Sequence, residues 1–222
     1  SLNAGSLWGR PFYILREAWN ILNAIAEGKI ESGDEKKLNA LKGETMAVIA
    51  LCQFDLTRCF GYPYTKDNGA SLGAPLIDHL VGTYENPSRS TVAQAYDFII
   101  ETLEEAVTLM SEEKNNGRMN KYAARALLAR VYLYHNDNRK AFDMAEQLIK
   151  DVDASGSYAL YPHEKYVAAW SVETKFGSES FFEIANSVDD TPGRDSWGYL
   201  LNWYGYQKGF VTQKYAEQML AD

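Results

Sequence analysis

Cysteine and histidine are scarce in this chain, with two Cys and three His in 222 residues. His79, His135 and His163 lack metal-ligand spacing and no Cys pairs with them, which argues against a zinc site. Cys52 and Cys59 sit seven apart in one expected helix. That spacing separates them by about 10.5 Å along the axis, beyond the roughly 7 Å a disulfide tolerates, so they read as buried thiols. Long apolar runs are missing too: the longest, residues 46–52, is far short of the about 20 residues of a membrane span. No basic start leads into an apolar stretch, so no signal peptide is expected within these residues. Basic residues do not cluster, and 22 Lys plus Arg against 30 Asp plus Glu leave a net charge of −8. That balance argues against a nucleic-acid partner, which needs a basic patch to neutralise phosphates. Phosphate-cradling glycine loops and a serine nucleophile elbow are also lacking. What the chain has in plenty is aromatic residues: 5 Trp, 15 Tyr and 9 Phe, or 13%.

The first long segment reads as helix after helix. Pro11 suits a first-turn position, and Ile14, Ala18, Ile21, Leu22 and Ile25 follow at helical spacing up to a capping Gly28. A second helix is expected from Asp34, with a stripe of Leu41, Thr45, Val48, Cys52, Leu56 and Cys59, stopping at Gly61-Tyr62-Pro63. Residues 62–88, with three Gly and three Pro, read as a long loop, a kind of segment that is usually functional or disordered. A capping box of Thr91 and Gln94 opens the third helix, which carries Val92, Tyr96, Ile99, Leu103, Val107 and Met110. Helices near Asn120 and Asp137 follow, separated by a turn at residues 135–138. Leu128, Ala129, Tyr132 and Ala141 hold the spacing of a tetratricopeptide unit, in which small residues let two antiparallel helices approach. Ala145 stands where that repeat more often has a large aromatic, and no second clean copy is visible.

After residue 157 the periodicity fades and 14 aromatics fall between Tyr158 and Tyr215, ahead of and within a last helix-like stretch at 211–220. The segment 197–206 holds Trp197, Tyr199, Trp203, Tyr204 and Tyr206, interrupted by two Gly. Flat rings cover the apolar C–H face of a sugar while neighbouring polar groups take its hydroxyls, so Trp197, Trp203, Tyr204 and Tyr206 are candidate ligand-binding residues. The competing assignment is a packed seam over the helices. In the long loop Tyr64, Asp67, Asn68, His79 and Tyr84 are further candidates, although Asp67 and Asn68 before Gly69 read first as turn chemistry. Trp8 and Arg10, placed just before the first helix, read from the residues as a packed entry to that helix. Catalytic pairs find little support. Glu104-Glu105 reads as a solvated helix face, Asp189-Asp190 as a turn, and Gly177-Ser178-Glu179-Ser180 as another turn.

The order of motifs resembles the SusD/RagB family of outer-membrane nutrient-binding lipoproteins from Bacteroidetes. Lys42-Gly43-Glu44-Thr45, Phe54-Asp55-Leu56 and Phe60-Gly61-Tyr62-Pro63 are similar to one family helix. Arg89-Ser90-Thr91-Val92 with Tyr96-Asp97, Ile100, Leu103 and Ala106 is similar to a second. Gly117-Arg118 and Lys121, with Tyr132-Leu133-Tyr134, are similar to a third, and Tyr13 and Asn20 match an earlier spacing. Ile49 stands where the family commonly has Arg, Arg16 where Ile is common, and Trp19 where Ala is. The resemblance covers residues 1–185 well and the aromatic tail weakly. Family members are roughly twice this length, so the chain is expected to be part of a longer one.

The expected fold is all-α: a tetratricopeptide-like helical-pair scaffold over 1–157, then an irregular aromatic-rich region over 158–222. The resemblance implies non-catalytic binding of glycans, or of peptides in some members, for a SusC-type TonB-dependent transporter. It also implies a part for Trp8 and Arg10 in a ligand edge, and a surface-exposed outer-membrane location reached through a lipid anchor outside this sequence. No cofactor is called for. A helical protein–protein scaffold and an α-helical carbohydrate-active enzyme are the alternatives.

Overall fold

The computed structural model describes residues 4–30, 32–169, 175–184, 189, 193–195, 199, 204–206 and 212–221. Helices dominate it: α1 (Ala4–Ala26), α2 (Glu35–Phe60), α3 (Val92–Leu109), α4 (Lys121–Tyr134), α5 (Asn138–Ser155), α6 (His163–Ala169) and α7 (Gln213–Ala221). Strands β1 (Leu72–Pro75) and β2 (Arg89–Thr91) pair antiparallel, with Leu72 opposite Thr91 and Pro75 opposite Arg89. The chain divides into two compact units, Ser1–Glu183 and Ile184–Asp222.

In the first unit, each of α1 to α4 packs against the helix that follows it. The ends of these helices follow from local chemistry. Asp34 caps α2 by accepting the Lys36 and Lys37 N–H groups, and Thr91 and Gln94 close a full capping box on α3. The end of α1 is a Schellman motif: Lys29 N–H donates to Ala24 O and Gly28 N–H to Ile25 O. The same motif ends α4, with Asn136 (φ 71°) in the left-handed position and Asp137 N–H donating to Tyr132 O. Asp137 then caps α5 through the Lys140 N–H, so the expected turn is shared by two helix ends.

Three expectations need correcting. Pro11 lies well inside α1, which begins at Ala4, so Leu7 O lacks its usual N–H donor four residues on. The buried face of α1 is Leu15, Ala18 and Leu22 with Phe12, whereas Ile14 and Ile21 are 41% and 37% exposed. The period was right but its phase was not, because large apolar residues occur on both sides of this helix. The long loop is also more structured than its composition implies, since it contains β1 and sends Ala74 and Ile77 into the core.

Helix α2 is central, touching α1, α3, α4 and β1, and it buries Ala47, Ile49, Ala50, Gln53 and Phe54 beyond the expected stripe. Cys52 is buried as expected, and burial raises its thiol pKa to about 11; Cys59, at the outer end, is exposed, and both are free. Ile49 is fully buried against Leu15, Leu56 and Ile77, so apolar packing occupies a position where the family commonly has Arg. A Cβ at Gly43 would sit 2.7 Å from Met110 Cγ and 2.9 Å from Ala106 O, so only glycine permits this approach of α2 to α3. Beside it, Glu44 accepts the Met119 N–H on one oxygen (3.0 Å) and Arg118 Nε on the other (2.9 Å), clamping the loop before α4.

The aromatic-rich residues 158–183 begin inside this scaffold. Tyr158 is buried, lies edge-on to Tyr122 and Phe181, and accepts a hydrogen bond of 2.7 Å from Asn120 Nδ2. Asn120 also caps α4 through the Ala123 N–H. The 177–180 turn is present, closed by Ser180 N–H to Gly177 O. In the second unit the described regular elements are the Gly193–Asp195 3-10 turn and α7.

Gln53 provides the sharpest stability test. Its fully buried amide donates to Pro75 O (3.1 Å) and accepts the Ile77 N–H (3.3 Å). Gln53→Leu keeps the bulk but strands both backbone groups, and is expected to cost about 2–4 kcal/mol by urea denaturation; a loss within error of zero would contradict this role. Asn120→Ala and Tyr158→Phe, combined in a double-mutant cycle, should show a coupling of about 1 kcal/mol.

Candidate ligand-binding surface

The C-terminal end of α2 gathers most of the candidates in the first unit. The chain leaves α2 through Gly61 to Pro63 and makes a 3-10 turn at Tyr64–Lys66. Tyr64 is half-buried there, its ring 5.7 Å from Tyr96 and 4.3 Å from His135, which caps the C-terminus of α4. Burial pushes the Tyr96 phenol up to about 12. Asp67 is exposed and accepts a short hydrogen bond from Ser71 Oγ, which holds its carboxyl below the usual range. Asn68 and Gly69 both have positive φ (55° and 75°), and Gly69 O accepts the Ala93 N–H at the start of α3. A Cβ at Gly69 would meet Ala93 N at 2.7 Å, so this turn is fixed by backbone docking. Asp67 and Asn68 therefore serve first as turn residues, the alternative the sequence also favoured.

Trp8 and Arg10 lie within the first turns of α1 rather than before it. The Trp8 indole is edge-on to Phe12 (5.0 Å) and Phe60 (4.7 Å) and retains 38% exposure. It thus closes the seam between α1 and the end of α2 while leaving one side to solvent. Arg10 is exposed.

Three residues on this end were not among the binding candidates read from the sequence. The Arg58 guanidinium lies over the rings of Phe54 (4.7 Å) and Tyr134 (5.2 Å), and Asp55 pairs with it. Tyr134 remains 46% exposed, and Tyr62 is 56% exposed with the Lys66 ammonium 3.0 Å from its ring centroid. The available signal was positional: Arg58, Tyr62 and Tyr134 all fall within a turn of an expected helix end.

The cluster at 197–206 lies in the second unit. Trp197 and Trp203 fall outside the described residues. Tyr204 is 91% exposed in the 204–206 turn. Tyr206 is 47% exposed, edge-on to Tyr199 at 5.2 Å, and its N–H donates to Tyr199 O. Tyr204 is thus open to water, and Tyr206 is braced against Tyr199.

Of the carboxylates weighed for catalysis, Glu104 and Glu105 have other attachments, and Asp190 lies outside the described residues. Glu104 accepts the Tyr132 hydroxyl (2.6 Å) and Glu105 pairs with Lys42 (3.0 Å), so the adjacent pair serves two different contacts. Among the described residues no group of His, Cys, Asp and Glu side chains could hold a metal ion. An open groove of about 340 Å³ runs along α4 and α5 beside Tyr132, Lys140 and Met144. Its cations are engaged: Arg125 pairs with Asp151 at 2.7 Å, and Lys140 lies over the Tyr132 ring.

No curated protein matches the chain. Residues 3–133 match the SusD-like family model described as starch-binding associating with outer membrane. A SusD superfamily protein from Bacteroides vulgatus is 96% identical, with a TM-score of 0.95 over 100% of this chain and 50% of that one. A SusD superfamily protein from Bacteroides thetaiotaomicron is 33% identical, with a TM-score of 0.85 over 97% of this chain and 47% of that one. A laminarin-binding SusD-like protein is 25% identical, with a TM-score of 0.64 over 87% of this chain and 40% of that one. The chain therefore spans about half the length of the first two structures. With the helix order, the Gly43-Glu44 clamp and the Thr91 capping box on the same chain, these matches settle its kinship: the chain belongs to the SusD-like family.

Proposed function

We propose that the chain contributes to non-catalytic binding of glycans at the bacterial cell surface. The protein carrying it would be lipid-anchored in the outer membrane and would hand its ligand to a SusC-type TonB-dependent transporter. The observation that carries this reading is the exposure of Tyr204, 91% open to water beside a braced Tyr199–Tyr206 pair. At that exposure the Tyr204 phenol face is accessible to a flat ligand. A sugar ring is a suitable cover: its C–H face meets the phenol, and its hydroxyls stay hydrated or meet neighbouring polar groups. Trp197, Trp203, Tyr204 and Tyr206 are the proposed stacking residues. Trp8 and Arg10, with Tyr64, Asp67 and Asn68, are proposed as a second edge. Family membership supports the ligand class, as does a relative that is itself laminarin-binding. Recognition of this kind uses contact and hydrogen bonds, and no covalent step is invoked.

A second reading rests on α5, where Phe142 and Ile149 are 59% and 61% exposed, two turns apart on one face. That face favours a helical protein–protein scaffold.

Affinity gels containing laminarin and other polysaccharides distinguish the readings, with released sugars assayed in parallel. Retardation without release supports binding, release would establish an enzyme, and neither would favour the scaffold. Trp197→Ala, Trp203→Ala and Tyr204→Ala are then compared by calorimetry with a retained glycan. At least one should lose about tenfold in affinity, or about 1.4 kcal/mol, with an unchanged circular dichroism spectrum. Unchanged affinity in all three would remove the stacking assignment.

A further inference from the structure

The loop between β1 and β2 contains a titratable arrangement that plays no part in the proposed binding. Its base is fixed twice at Ile77, whose N–H is held by Gln53 and whose carbonyl accepts Trp19 Nε1 at 3.1 Å. Val81 packs against the core cluster of Leu15 and Ile77. Beyond these anchors the loop turns at residues 82–85, where Glu85 N–H donates to Gly82 O and Gly82 N–H to Glu85 Oε2, both 3.1 Å. Tyr84, at the tip, is 97% exposed.

His79 spans this loop. Its Nδ1 lies 2.6 Å from Asp78 Oδ1 and its Nε2 lies 2.8 Å from Glu85 Oε1. An ionised carboxylate only accepts hydrogen bonds, so both contacts are satisfied together only if both ring nitrogens carry hydrogen, which is the imidazolium. A neutral ring has one N–H, and one of the two carboxylates would then face a lone pair. The charged groups acting on His79 are Asp78 and Glu85. The helices at the base of the loop present Trp19 and Gln53, which are uncharged. Losing the ring's charge therefore leaves two carboxylates repelling each other across a short turn, with Asp78 already close enough to act on Glu85.

We propose that His79 is a pH-operated latch: as the imidazolium it ties Asp78 to Glu85 and holds the loop with Tyr84 outward, and deprotonation releases the turn. The hydrogen bond that the ring donates to Asp78, then that to Glu85, holds its pKa above the ordinary value. The latch is thus complete below the ordinary histidine range, about 6.5, and is lost as pH rises through the raised value. All these groups are solvent-exposed, so the effect is local to the loop and leaves the core intact.

The test needs no glycan, so its outcome is independent of the binding proposal. Histidine ring signals are followed by NMR from pH 5 to 9, and amide exchange at Gly82 is measured at pH 6 and 8.5 with the intrinsic pH dependence removed. His79 should titrate above about 6.5, and Glu85→Gln should lower that midpoint. Gly82 exchange should rise about threefold between the two pH values. In His79→Gln the exchange should be fast at both, while His163→Gln should behave as the unmodified chain. Equal Gly82 protection at both pH values, a transition that persists in His79→Gln, or a His79 midpoint at or below 6.5 would overturn the latch.

Discussion

A single buried amide sets the terms for one side of this molecule. Gln53 sits on the most enclosed helix and meets a segment that has left its strand but not the core. A backbone buried there without partners would be strongly destabilising. The Gln53 side chain supplies one donor and one acceptor, Pro75 O and Ile77 N–H, and so behaves as a short stretch of neighbouring strand. Once Ile77 is fixed, its carbonyl is placed to receive the Trp19 indole, which ties α1 to the same point. The packing of Leu15, Ile49, Leu56 and Ala74 around Ile77 depends on that seat.

On the opposite side, two adjacent residues do comparable work by different means. Gly43 removes a side chain so that α2 can press on the end of α3, and Glu44 uses both carboxylate oxygens to draw in the chain before α4. Arg89 contributes a third fastening, with its guanidinium donating to Leu72 and Gly73 carbonyls on the neighbouring strand. The family motif residues are thus mostly residues that join one element to another. They sit where an N–H or carbonyl at the edge of an element needs a partner.

This explains what the sequence could and could not reveal. Helix ends were legible because Asp34, Thr91, Asn120 and Asp137 act on N–H groups two or three residues away. Helical periods were legible too, as the α3 stripe from Val92 to Met110 shows. The phase of α1 was not, because apolar Ile14 and Ile21 face away from the core and nothing local distinguishes them from Leu15. Strand β1 was hidden by its Gly and Pro content, and its partner lies beyond a loop. The Arg58 sandwich and the His79 bridge depend on positions brought together by folding, so no spacing rule exposes them. Of the candidate binding residues, the aromatic type was readable but exposure was not: Tyr64 packs and Tyr204 does not face a core.

The two thiols also differ in a way that has practical use. Cys52 is buried with its thiolate suppressed, while Cys59 stands at the surface one residue before the ring that Trp8 abuts. Thiolate formation and access both govern alkylation. A maleimide probe would therefore mark one position on the unmodified chain, beside the joint between the first two helices. The fold thus contains its own attachment point for a spectroscopic reporter, with no residue needing to be replaced.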